Sequence, residues 1–168
     1  VTADALQQSW DKYFKEINDV LAERVSELPG VSFDPANLLP CEGPRFGFGV
    51  DRCARYLAFL SGGEGETWVA LSVLESSSAA NEAMETMHGG LIRSGWQPVD
   101  VEGLEHNHVC LTLVRGETSE AVCYITRDDA LIVSYSYLDV AAPDAVLLNA
   151  VDLARLMDDA YDAVERPV

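Results

Sequence analysis

The sequence predicts an α+β fold in which an antiparallel sheet of five or six strands is flanked by three helices. Three stretches repeat apolar residues at helical spacing, near the start, in the middle and at the end of the chain. Between them, runs rich in Val, Ile, Leu and Tyr are separated by short turns that contain Gly or Asp. The chain has 168 residues, 48% of them hydrophobic, which is enough for a core. We therefore expect one domain over residues 1–168, with an N-terminal helix over about 3–28 and an α+β body over about 31–168.

The first helix is predicted to end at Pro29 and Gly30, which do not continue it. Its apolar stripe consists of Leu6, Trp10, Tyr13, Phe14, Ile17, Val20, Leu21, Val25 and Leu28. An amphipathic helix of this kind most often covers a sheet, and docking of a partner is the alternative. The next stretch, residues 31–53, holds three Pro and three Gly, so we expect an ordered loop there.

The middle of the chain predicts two strands and a helix. Arg55–Ser61 and Thr67–Glu75 are strand-like and are joined by a glycine-rich turn. Ser76–Ser78 then opens a helix that ends near Ser94. We expect Glu82 in the first turn of this helix, where the helix dipole favours an acid.

The last third of the chain predicts a strand meander and a final helix. A short strand is expected at Val99–Glu102, another at Ala130–Leu138 after a hairpin, and the helix over about Asp144–Glu165. One face of the meander collects large residues: Val109, Leu111, Leu113, Val122, Tyr124, Leu131, Val133, Tyr135 and Tyr137. The other face is small and mixed: Cys110, Thr112, Ala121, Cys123, Ser134 and Ser136. This pattern predicts a half-buried sheet. A solvated helix face is expected for Asp152, Arg155, Asp159 and Asp162.

A hairpin is the strongest local prediction, because two strand-like runs flank Gly116 and Glu117. Gly at the first turn position suits a two-residue type II′ turn. Cys110 and Cys123 then lie equally far from the turn, in a non-hydrogen-bonded pair. The Cα atoms of such a pair are close enough for a disulfide. We therefore predict a Cys110–Cys123 bridge.

The two remaining cysteines, Cys41 and Cys53, pair by elimination. Two disulfides would place the protein in an oxidising compartment. The alternatives are four buried free thiols in a cytosolic protein, or a metal site built from all four cysteines.

The charge balance excludes nucleic acids as partners. The formal net charge is −17 and the sequence pI is about 4.3, so the chain lacks the clustered cations that nucleic-acid binding needs.

No apolar run is long enough for a membrane span. Membrane association would therefore depend on an N-terminal anchor preceding residue 1. No signal peptide is visible, and we predict no cofactor.

One segment, residues 41–55, differs from this acidic background and is our candidate ligand-binding site. It carries Arg45, Phe46, Phe48 and Arg52, and its ends would be tied by the Cys41–Cys53 bridge. Restrained loops that present Arg and aromatic side chains are well suited to recognition. A ligand with an acidic or polar head and an apolar body would fit these residues. The alternative is a structural loop whose Phe side chains fill the core and whose Arg side chains pair with acids.

Catalytic and metal motifs are scarce. His106 and His108 fall on one side of an extended segment and could act as two metal ligands, but surface histidines at a strand entry are the favoured interpretation. The chain has no G-x-S-x-G, no H-E-x-x-H and no Walker lysine, so we predict no catalytic residue.

Three stretches carry a resemblance to a known group: Trp68–Ala80, Gly95-Trp96 and Ala150–Met157, within residues 53–165. The chain resembles the small secreted lipoproteins of actinobacteria and the extracellular sensor domain of PknH-type receptor kinases. The resemblance implies a central antiparallel sheet with flanking helices, two disulfides and a ligand-binding role. The chain departs from that group in two respects: its second cysteine pair lies across one hairpin, and it has no lipid-accepting N-terminal cysteine.

These observations predict an extracytoplasmic, non-enzymatic binding or sensor-like domain of the cell envelope, secreted or membrane-anchored. The expected partner is a small molecule or a cell-envelope protein. Two alternatives stay open: a hydrolase-like enzyme whose site is dispersed in sequence, and an interaction or scaffold protein.

Overall fold

Three helices and seven strands lie in the part of the chain that the computed structural model describes, residues 2–26, 38–39, 55–56 and 65–167. The helices are α1 (Ala3–Val25), α2 (Ser77–Arg93) and α3 (Pro143–Ala163). The strands are β1 (Leu38–Leu39), β2 (Arg55–Tyr56), β3 (Gly65–Val73), β4 (Gln97–Val99), β5 (His108–Arg115), β6 (Thr118–Arg127) and β7 (Ala130–Leu138). None of the helices in these ranges has the length and hydropathy that spanning a bilayer requires.

The main sheet has five antiparallel strands in the order β3-β7-β6-β5-β4, so the predicted α+β fold is confirmed. Two-residue turns join β5 to β6 and β6 to β7. Gly116 has φ +58° at the first position of the first turn, as the predicted type II′ turn requires. In the second turn the left-handed position is taken by Asp128, with φ +51°, a conformation that Asp tolerates better than most residues.

The predicted Cys110–Cys123 disulfide is confirmed. The two residues are directly paired in the β5–β6 register, and their Cα atoms are 4.2 Å apart. Turn geometry alone sets this pairing, because a two-residue turn counts both strands outward from the same point. Cys41 and Cys53 lie outside the described residues.

Some predicted boundaries are wrong by a few residues. The short strand expected at Val99–Glu102 is β4, Gln97–Val99, because it follows the edge of β5 from Thr112 to Cys110. The hydroxyl of Ser76 accepts a hydrogen bond from the Ala79 amide at 3.0 Å and caps α2, which begins at Ser77. Glu82 therefore lies beyond the first helical turn, where the dipole contributes little.

The expectation of a half-buried sheet is also wrong, because helices cover both faces. The large face packs against α2 in a cluster that includes Leu111, Val122, Leu131 and Val133. The small face joins a larger hydrophobic cluster with α1 and α3. Small side chains let a helix approach the sheet closely: Ser134, fully buried, donates a hydrogen bond to the Ala150 carbonyl of α3 at 2.6 Å.

Contacts with other elements hold α1 and the start of α3 in place. Among the described elements, α1 makes its main contacts with α3 rather than with the sheet, and its buried side chains join the same cluster. No side chain of the helix itself caps the start of α3. Instead, the buried hydroxyl of Ser119 on β6 accepts from the Ala142 amide at 2.9 Å and donates to the Val140 carbonyl at 2.5 Å.

Enlarging Ser134 should separate α3 from the sheet. We expect Ser134→Leu to lower the free energy of unfolding by about 3 kcal/mol, since overpacking forces α3 outward. Ser134→Ala should cost only about 1 kcal/mol, the value of one hydrogen bond. Urea denaturation measures both. Equal losses in the two variants would contradict the close approach of α3 at this position.

The bridge predicted between Cys41 and Cys53 can be tested by peptide mapping under non-reducing conditions. In the paired strands β1 and β2, Leu38 faces Tyr56 and Leu39 faces Arg55. That register, extended by two residues along each strand, would bring Cys41 opposite Cys53. We expect one cross-linked peptide for this pair and a second for Cys110–Cys123. A crossed linkage or a reactive thiol would contradict the prediction.

Candidate functional site

The segment predicted to bind a ligand cannot be located in the fold. Arg45, Phe46, Phe48 and Arg52 all lie outside the described residues, so their role stays a prediction. The site described below consists of other residues.

The two histidines predicted at a strand entry are both hydrogen-bonded within the protein. His106 Nδ1 lies 2.7 Å from Asp158 Oδ2, and His108 Nδ1 lies 2.7 Å from the His106 carbonyl. A carbonyl only accepts, so His108 Nδ1 carries the hydrogen. In the described ranges, no group of three or more His, Cys, Asp or Glu side chains is arranged to hold a metal ion. The partners of His106 in those ranges include no Ser, Thr or Cys side chain that could serve as a nucleophile.

Asp158 belongs to an ion-pair cluster that ties α3 to the end of β6. It is 7% exposed, and its second oxygen accepts from Arg127 at 2.6 Å. Arg127 also donates to Asp162 at 2.7 Å, and its guanidinium lies 5.0 Å from the centroid of the Tyr161 ring. The hydrogen bond from Arg127 lowers the pKa of Asp162. Asp162 keeps the exposed position predicted for this helix face, with 56% of its side chain exposed, and Arg127 reaches it there from the sheet.

A second cluster forms around Arg166, just after α3. Arg166 binds the Asp129 carboxylate with two hydrogen bonds, of 2.6 and 3.1 Å, and donates to the Tyr161 hydroxyl at 3.3 Å. Its guanidinium lies 5.5 Å from the centroid of the Trp10 ring on α1. These contacts use three of the five guanidinium N–H donors and leave two. The turn between β6 and β7 thus holds the residues after α3 beside α1.

An open cleft of about 520 Å³ lies between α1 and this C-terminal segment. Its walls are formed by Leu6, Ser9, Lys12, Tyr13 and Glu16 of α1, and by Glu165, Arg166 and Pro167. Leu6, Ser9, Tyr13 and Glu16 share one side of α1 because they are spaced by three or four residues. The volume is within the range of small-molecule sites.

Two buried donors of α1 have no hydrogen-bond partner: the hydroxyl of Tyr13, which lines the cleft, and the indole N–H of Trp10, one turn earlier on the helix. Tyr13 is 2% exposed and Trp10 is 8% exposed. Burial raises the pKa of Tyr13 to about 12, so the phenol keeps its proton. Each unsatisfied buried donor costs about 1–3 kcal/mol, so their occurrence on adjacent turns of α1 requires an explanation.

In the sequence, Trp10 and Tyr13 belong only to the apolar stripe of the first helix, and no local pattern points to Asp158 or Arg166. The helical spacing correctly placed both aromatic rings in the core. A signal for their polar ends was present, since a buried Tyr or Trp normally needs a hydrogen-bond partner. The partners of Asp158 and Arg166 come from other elements.

Asp158→Asn should be strongly destabilising, because Arg127 would keep its charge in a largely buried site with only the more exposed Asp162 as its counter-charge. We expect a loss of about 3 kcal/mol in the free energy of unfolding. Asp159→Asn on the same helix is the matched control. Asp159 pairs with Arg24 at 3.8 Å, and half of its side chain is exposed, so its loss should cost below about 1 kcal/mol. Equal effects by thermal or urea denaturation would show that the Arg127 cluster does not hold α3.

Neither a protein-family model nor a curated protein matches the sequence. Among solved structures, the chain is similar to the crystal structure of the extracellular domain of PknH from Mycobacterium tuberculosis, with a TM-score of 0.54 and 11% sequence identity. The similarity covers 88% of this chain and 91% of that chain. The resemblance to secreted lipoproteins stays a prediction. At this identity the likeness concerns the fold alone: this chain is similar in fold to the PknH extracellular domain.

Proposed function

We propose that this chain is an extracytoplasmic, non-enzymatic binding or sensor-like domain of the cell envelope, and that the cleft between α1 and the C-terminal segment is its ligand site. Two observations support the compartment. The fold is similar to that of an extracellular domain, and the Cys110–Cys123 disulfide is typical of oxidising environments.

The observation that carries the binding role is the pair of buried donors without partners. A protein selected only for stability would bond these groups or replace them, for example with Phe at position 13. Binding sites retain such groups because the ligand supplies the missing partner once a side-chain movement exposes the donor. The Tyr13 side chain lines the cleft together with Arg166, whose guanidinium binds Asp129. It therefore belongs to the polar end of the cleft.

The chemistry of these groups defines the ligand. Of the residues that line the cleft, Tyr13 and the two remaining N–H groups of Arg166 offer hydrogens, so the matching head group is an acceptor, either a carbonyl or a carboxylate. Leu6, Tyr13 and Pro167 provide apolar wall for the body of the ligand. The charges on the lining residues balance, with Lys12 and Arg166 against Glu16 and Glu165, in a protein of net charge −17. An anionic head group is thus tolerated here better than on the average surface.

The two alternatives have weaker support. The His106–Asp158 pair could orient a general base, but Asp158 is shared with Arg127 and the pair has no nucleophile among its described partners. The large apolar residues that are exposed in the described ranges, Ile92, Val114, Val140 and Leu148, belong to four different segments. A scaffold surface would require them to form one patch.

A matched series of aromatic probes tests the cleft directly. The probes are 2-naphthoate and 2-naphthamide, which carry an acceptor head, and 2-naphthylmethylamine, which does not. The chain has three Trp residues, so their indole N–H signals are easily separated in a proton–nitrogen NMR spectrum. We expect the first two probes to shift the Trp10 signal at saturating concentration, and the amine to leave it unchanged. No shift with either acceptor probe would contradict the proposed site.

Tyr13→Phe separates binding from stability. We expect the free energy of unfolding to stay the same or rise by up to about 1 kcal/mol, because an unpartnered buried hydroxyl is removed. Binding of 2-naphthoate should weaken by about tenfold, the value of one hydrogen bond to a charged acceptor. Urea denaturation and the NMR titration measure the two effects.

Two further variants serve as controls. Tyr161→Phe removes a hydroxyl that is bonded to Arg166 and Asp128, and should lower stability by about 1 kcal/mol. Tyr124→Phe, on the opposite face of the sheet, should leave binding unchanged. If Tyr13→Phe destabilised the protein as Tyr161→Phe does, the Tyr13 hydroxyl would be structural.

A further inference from the structure

A second surface lies on the α2 side of the sheet, on strands β3 and β7. Three aromatic side chains there are partly exposed: Trp68 on β3, and Tyr135 and Tyr137 on β7. We call these three residues the aromatic shelf. They share one face because Trp68 is paired with Tyr135 in the register, and Tyr137 is two residues further along β7.

The side chains of the aromatic shelf are ordered by ring stacking and by the strand register. The Trp68 and Tyr135 rings are stacked, with centroids 5.6 Å apart and planes 27° from parallel. In the register, Tyr137 stands between two carboxylates, Glu66 on β3 and Glu120 on β6. Cross-strand neighbours of this kind are within reach of each other.

The carboxylates give the shelf a negative field. Glu120 accepts a hydrogen bond from the Tyr135 hydroxyl at 2.5 Å, and Asp139 lies 3.5 Å from the Tyr137 hydroxyl. Burial, the bond to Glu120 and the charge of Glu66 all raise the pKa of Tyr135, so this phenol stays neutral. Among the described strand residues of this face one is a cation, Arg115, exposed at the end of β5. Three acids against one base leave a net charge of −2.

We propose that the aromatic shelf binds a small organic cation, an ammonium group that is methylated or carried on an apolar chain. Trp is the best aromatic partner for a cation, and Tyr is the next best. A tyrosine hydroxyl that donates to a carboxylate makes its ring more electron-rich. A neutral sugar could also stack on the rings, but it would gain nothing from the net charge. This proposal is independent of the cleft, which offers donors to an acceptor head group on the other side of the sheet.

The test uses tetramethylammonium chloride, with tert-butanol as a neutral probe of similar shape and NaCl to hold the ionic strength constant. The indole N–H signal of Trp68 reports binding at the shelf, because the other two Trp residues, Trp10 and Trp96, are buried and each only 8% exposed. We expect a saturable shift of the Trp68 indole N–H signal with tetramethylammonium and none with tert-butanol. Trp10 and Trp96 should not move. A shift of all three signals, or the same shift with tert-butanol, would overturn the proposal.

Variants then locate the charge. Glu120→Gln keeps an acceptor for the Tyr135 hydroxyl and removes only the charge, and Glu66→Gln changes an exposed side chain. Each should weaken tetramethylammonium binding by about two- to fivefold, the value of one partly screened charge or one exposed cation–π contact. Glu85→Gln, an equal charge change on the exposed side of α2, should have no effect. If all three variants weakened binding equally, binding would reflect only the net charge of the protein, and if none weakened it, the carboxylates of the shelf would play no part; either result would overturn the proposal.

Discussion

The close packing of α3 on the small face of the sheet is the constraint on which the rest of the structure depends. Ser134 and its small neighbours let the helix backbone approach until a side-chain hydroxyl reaches the Ala150 carbonyl. At that distance the far end of α3 comes within reach of the turn between β6 and β7. The Arg127 cluster and the Arg166 cluster both form there, and both need this approach.

The two ion-pair clusters fix the position of the cleft. Arg127 is tied to Asp158 and Asp162 of α3, and Arg166 is tied to Asp129 of the turn. Buried ion pairs contribute little net stability, but removing one partner is costly, so they specify a single arrangement. Here they place the residues after α3 against α1, and the cleft lies between these two walls. The unpartnered donors of Trp10 and Tyr13 are a local cost that the surrounding hydrophobic cluster is large enough to offset.

The two proposed sites lie on opposite sides of one sheet and have opposite chemistry. The cleft offers hydrogen-bond donors and balanced charges, whereas the aromatic shelf offers ring faces and carboxylates. A chain with a net charge of −17 repels anions everywhere except where cations are held in place, and Asp129 holds Arg166 in this way. The net negative charge of the chain favours cation binding at the aromatic shelf and opposes anion binding in the cleft.

The sequence by itself determined the elements whose signals are local. Helical spacing predicted the first helix, and Gly116 predicted the turn that sets Cys110 opposite Cys123, because helix period, turn geometry and strand period act over a few residues. Only the tertiary structure decided that a helix covers the small face of the sheet, because Ser and Ala occur both in contact with water and under a helix. It also decided both clusters: Arg127 and Asp158 are 31 residues apart, and Arg166 and Asp129 are 37 apart. No periodic pattern links charges at such separations, because their pairing depends on how closely α3 packs on the sheet.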